Sequence, residues 1–99
     1  DQLVRRIGGD PDRELAILGV LAAWPSPLNA RRLASFAGET VTMTRAVLRR
    51  WGPFLNKVPV ENEYGYALYH TSFREFLAER LDMEMVRGRI HTAIETELP

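Results

Sequence analysis

The chain has 99 residues, 13 basic against 13 acidic side chains, and 45% hydrophobic content, which is one small domain with apolar side chains enough for a packed core. No apolar run approaches the ~20 residues of a membrane-spanning helix, so no membrane partner is expected. The absence of cysteine removes disulfide and thiol chemistry and is in keeping with a cytoplasmic setting.

No signal peptide is visible and the first residue is Asp1, so the chain reads as a piece of a longer protein. In residues 1–10, Leu3, Val4 and Ile7 fit the end of a helix inherited from an upstream domain, stopped by Gly8 and Gly9. Asp10-Pro11-Asp12 is a start signal: a capping Asp, Pro at the first helical position and an acid in the first turn. The helix it starts is expected from Pro11 to Ala23, with Leu15, Ile17, Leu18, Leu21 and Ala22 on its apolar face. Trp24-Pro25-Ser26-Pro27 ends it, because Pro cannot continue a helix and restricts the residue before it.

Asn29 is suited to cap a short second helix, Ala30 to Ala37, with Gly38 as its stop. Leu33, Ala34, Phe36 and Ala37 face inward. Thr40 or Thr42 caps a third helix that ends near Trp51, before Gly52-Pro53. Met43, Val47, Leu48 and Trp51 make its buried face, and Arg45, Arg49 and Arg50 fall elsewhere on its surface. A hairpin follows. Its first strand runs from Phe54 to Val60, where Pro59 marks an edge or an irregular strand. Glu61-Asn62-Glu63-Tyr64-Gly65 reads as a polar turn with solvated acids, and Tyr66 to Tyr69 as the returning strand.

A helix is then expected over residues 72–82. Ser72 and Glu75 form a Ser-x-x-Glu capping box. Phe73, Phe76, Leu77, Arg80 and Leu81 recur at helical spacing on one face. The last helix runs from Met83 to Glu97 with Met83, Val86, Ile90, Ala93, Ile94 and Leu98 along one side. That side either completes the core or awaits a downstream domain, and Gly88 weakens the helix by about 1 kcal/mol relative to Ala. The fold class expected is mostly α: a winged helix, meaning a helix-turn-helix plus a two-stranded β wing, with one additional C-terminal helix. The organisation is a linking segment over 1–10, the winged helix over 11–82, and a C-terminal helix over 83–99 leading to a downstream domain.

The balanced net charge conceals a segregation. Residues 28–57 carry six basic side chains against Glu39 alone, and residues 58–99 carry eight acids against four arginines. The Gly-x-x-x-x-Gly-Lys-Ser/Thr loop that cradles a triphosphate does not occur in these residues. His70 and His91 sit on different elements and no metal-ligand spacing appears, so neither catalysis nor a metal site is expected. His91 reads as a surface residue. His70 precedes a helix N-terminus, where unpaired N–H groups and the helix dipole favour an anion. The structural alternative is a strand-end histidine bonded to a neighbouring carbonyl. Arg45, Arg49 and Arg50 lie on the helix that many winged-helix proteins place in the DNA major groove.

Leu68, His70, Ser72, Phe73, Glu75, Phe76 and Leu77, in that spacing, resemble a signature of the NACHT class of STAND NTPases, to which the NOD-like receptors belong. In that family the signature lies near the end of the winged-helix domain that follows the nucleotide-binding domain, and the order of elements over residues 12–82 is similar as well. The resemblance implies a non-catalytic regulatory module. His70 would contact the β-phosphate of ADP and hold the nucleotide-binding domain inactive. No cofactor would be held by this piece alone, while ADP or ATP with Mg would belong to the parent, an ATPase-type switch with its P-loop roughly 200 residues upstream. The implied partners are the nucleotide-binding and downstream domains of the same chain, and self-assembly of the parent. The alternative is a DNA-binding winged helix of a transcription regulator using Arg45, Arg49 and Arg50. The neutral net charge argues against it. A third reading is a protein-interaction module that uses the final amphipathic helix.

Overall fold

A computed structural model of the chain describes residues 11–60, 62–68 and 71–97. The expectations for residues 1–10, the Tyr69 strand end, His70 and Leu98 fall outside these residues. Among the described residues the chain forms five α-helices and one two-stranded antiparallel sheet, an order with which a winged-helix layout is compatible.

The first helix, α1 (Pro11–Ala23), is the axis of the molecule. It packs against every other helix and against the returning strand of the hairpin. Burial extends beyond the expected face to Ala16, Gly19 and Val20, so the helix is apolar nearly all round, as a central helix must be. Arg74 closes its far end, donating from Nη1 to the carbonyl of Ala22 at 2.6 Å.

α2 (Ala30–Ala37) has the expected caps. The Asn29 side chain accepts from the Arg32 N–H at 2.8 Å. Gly38 takes φ 69°, a left-handed conformation that costs glycine little, and its N–H donates to the Ser35 carbonyl. α3 (Val41–Arg50) is capped by Thr40, whose hydroxyl accepts from the Met43 N–H at 3.1 Å. Thr44 is fully buried where Met43 is only half-buried, so the inward face lies slightly round the helix from the expected one. Trp51 ends α3 with no exposed surface.

Gly52–Phe54 is a single 3₁₀ turn, so the first strand starts one residue later than expected. Phe54 instead joins an aromatic cluster. Trp51 stacks on Phe73 with ring centres 5.1 Å apart, and Phe54 meets Phe73 edge-on at 5.7 Å. The strands β1 (Leu55–Val60) and β2 (Glu63–Leu68) pair from Leu55↔Leu68 to Val60↔Glu63. Only residues 61 and 62 separate them, so the five-residue turn read from composition is too long. Glu63, Tyr64 and Gly65 are strand residues because their backbones complete the ladder. Leu28 bridges Tyr66 on the other side of β2, with N–H···O distances of 3.0 and 2.8 Å. β1 is therefore the edge strand, the place where Pro59 removes no needed donor.

α4 (Thr71–Arg80) buries Phe73, Phe76 and Leu77 as expected. It begins at Thr71, so Ser72 lies inside the first turn and the expected Ser72–Glu75 capping box does not form with Ser72 as the N-cap. The helix also stops before residue 82, because the Asp82 side chain accepts from the Met85 N–H at 3.2 Å and starts the next one. Arg80, exposed, lays its guanidinium over the Phe76 ring at 3.8 Å. α5 (Met83–Glu97) buries Val86 and Ile90 against α1 and α2. Through these two residues it completes the core, the first of its expected roles.

Candidate functional site

The β2–α4 junction carries the 68–77 pattern. Its apolar members are core: Leu68 at the end of β2, opposite Leu55, and Phe73, Phe76 and Leu77 along α4. Ser72 and Glu75 are exposed on the first turns of α4, which has no acid in its opening turn to repel an anion. His70, between the two elements, lies outside the described residues.

The three arginines of α3 separate. Arg45 and Arg49 stand four positions apart on one exposed side, while Arg50, a further 100° round, reaches back to α1. Its Nη1 donates to both carboxylate oxygens of Glu14 at 3.0 Å. Glu14 has no exposed surface, and the Trp51 indole N–H donates to it at 2.6 Å. A buried carboxylate needs such partners, and these two come from the end of α3. Sequence reasoning missed Glu14. The available signal was its position three and four residues before Ile17 and Leu18, on the apolar stripe of α1. A second signal was a buried-type Trp at a helix end, whose N–H needs an acceptor.

Arg45 and Arg49 do not stand alone. They line a cleft of about 450 Å³ between α3 and the hairpin, together with Lys57 of β1 and Tyr64 and Tyr66 of β2. Lys57 lies 4.3 Å over the ring of Tyr64, which is 53% exposed. Glu63, at the same cleft, is exposed as expected but belongs to β2 rather than to a turn, and it is paired. It accepts from Arg31 at 2.7 Å and from the Asn29 side chain at 3.1 Å. The basic segment 28–57 is thus divided: Arg31 forms an exposed ion pair with Glu63, Arg50 is engaged with buried Glu14, and Arg45, Arg49 and Lys57 share one recess.

A second concavity, about 1020 Å³, lies between α1, α2 and α5 over an apolar floor that includes Ala16, Phe36 and Ala93. An Arg13–Glu39 pair at 2.7 Å stands on its rim. His91 is exposed, as expected, with its Nε2 2.6 Å from Glu95 one turn on. Among the described residues no group of three or more His, Asp or Glu is arranged to hold a metal, and no helix is long and apolar enough to cross a membrane. No protein-family model, curated protein or solved structure matches the chain.

Proposed function

We propose that this chain is the regulatory winged-helix module of a NACHT-type STAND NTPase, packing on the ADP-bound nucleotide-binding domain through His70 and swinging away on activation. The observation that carries the reading is the division of labour within the 68–77 pattern. Leu68, Phe73, Phe76 and Leu77 serve the core, whereas Ser72 and Glu75 are exposed and unneeded for packing. The first turns of α4 thus present polar side chains to solvent, where a packing partner can meet them. The chain itself is non-catalytic; nucleotide and Mg belong to the parent's P-loop domain, and the setting is cytoplasmic. ADP biases which of two packings prevails. The DNA-binding alternative, through Arg45, Arg49 and Arg50, is weakened by the engagement of Arg50 with Glu14.

One imidazole hydrogen bond to a phosphate contributes about 1.5–3 kcal/mol. Its loss from the closed state alone shifts the closed-to-open ratio roughly 10- to 100-fold toward open. His70→Ala in the full-length parent is expected to release ADP faster and to signal without its trigger, while the same change in the isolated chain leaves the melting temperature unaltered. A variant that is both destabilised and silent would show a structural histidine instead. The isolated chain should give no calorimetric signal with ADP, because one such bond falls far short of the ~8 kcal/mol of micromolar binding.

A further inference from the structure

We infer that the cleft between α3 and the β1–β2 hairpin binds single-stranded nucleic acid. Arg45 and Arg49, one helical turn apart, line its α3 wall, and Lys57 and Tyr64 line the hairpin side. Three cations around a recess reinforce one another, because low-dielectric walls focus their field. Among the described residues that line it, the single carboxylate, Glu63, already has Arg31 and Asn29 as partners.

Tyr64 makes the site more than a charged surface. It and Met85 are the large hydrophobic side chains exposed among the described residues. The Lys57 ammonium rests over the Tyr64 ring and holds it at the cleft, and about half of the residue's surface remains open to solvent. Cations that follow a backbone and an aromatic ring on which a base stacks are the two requirements of single-strand binding. A duplex asks for a projecting basic helix, but here Arg45 and Arg49 line a recess and Arg50 is turned to Glu14. An acidic peptide would use the cations and have no need of the ring. None of the cleft residues belongs to the 68–77 pattern, so this site stands or falls separately from the ADP latch.

The test uses the 99-residue chain and fluorescence anisotropy. The probes are labelled thymidine and uridine oligonucleotides of about 12 nucleotides, within the ~4–16 that single-strand grooves cover, a duplex of equal length, and polyglutamate. Single strands are expected to bind at ~50 mM salt and to weaken by ~200 mM, with a log–log slope near −2, about −0.7 for each of three phosphates. Arg45→Ala, Arg49→Ala and Lys57→Ala should each flatten the slope by about 0.7. Tyr64→Ala should weaken binding roughly 5- to 150-fold with the slope unchanged, and Tyr64→Phe should retain affinity. Arg87→Ala, outside the cleft, should change neither quantity, and circular dichroism verifies the fold of each variant. Absence of single-strand binding at ~50 mM salt overturns the inference. Equal or tighter binding of the duplex or of polyglutamate, or affinity indifferent to Tyr64→Ala, does so as well.

Discussion

Glu14 shows how much of a small domain can rest on one polar side chain. Its carboxylate is fully buried in α1, and its donors, the Arg50 guanidinium and the Trp51 indole, come from 36 and 37 positions along the chain. Trp51→Phe keeps an aromatic ring against Phe73 but removes the 2.6 Å donor. A hydrogen bond to a charged group contributes about 1.5–3 kcal/mol. The melting temperature, followed by circular dichroism, is therefore expected to fall by at least about 6 °C. An unchanged value would mean that the carboxylate does not depend on the indole donor. Glu14→Gln should cost less than Glu14→Ala, since the amide oxygen still accepts from the indole. Other residue-scale features were legible in the sequence because they are local. Asn29, Thr40 and Gly38 act on groups within a few residues, so composition suffices to place them. The partners of Glu14 are remote, and no local pattern names them.

At the scale of elements, two glycines hold their positions for different reasons. Gly38 needs its positive φ and has open space around it, whereas a Cβ on Gly65 would lie 2.7 Å from Val60 Cγ2 and 2.9 Å from Pro27 Cβ. Gly38→Ala should cost about 1–2 kcal/mol through the left-handed backbone, and Gly65→Ala about 1–3 kcal/mol through overpacking. Asn separates the two mechanisms, since it tolerates the left-handed conformation but is bulkier than Ala. In urea unfolding, Gly38→Asn should recover most of the loss, and Gly65→Asn should be worse than Gly65→Ala. Equal behaviour at both sites would contradict the packing of β2 against Pro27. That packing also explains why composition predicts too long a turn. A glycine among polar residues looks like a turn, but here it is a strand residue made small by the Pro25–Pro27 segment, which no local rule reveals.

For the whole molecule, α5 decides whether the core closes. Val86 and Ile90 are 4% and 5% exposed against α1 and α2. Burying two such side chains contributes about 3–6 kcal/mol, within a total stability of about 5–15 kcal/mol for a chain of this size. A version ending at residue 82 is therefore expected to lose most of its cooperative unfolding transition. If its denaturation midpoint equals that of the 99-residue chain, α5 is an appendage rather than a wall of the core.

The spacing of apolar residues, with the prolines, glycines and caps between them, was enough to determine, among the described residues, five helices and a hairpin in order. Each of those signals acts over a few residues, and backbone hydrogen bonding within a helix or hairpin is short-range. Which helix would be central was not decided there. α1 is surrounded because the end of α3, the bridge from Leu28 to Tyr66 and the α4–α5 corner all converge on it or beside it. The grouping of charges was likewise a tertiary outcome. Six basic residues in thirty positions predicted a basic region, but only the packing of α3 against α1 drew Arg50 to Glu14. Only the hairpin, folding back beside α3, set Lys57 and Tyr64 next to Arg45 and Arg49. Charge is written along the chain, but an electrostatic site depends on distance in space, and that distance exists only once the elements have packed.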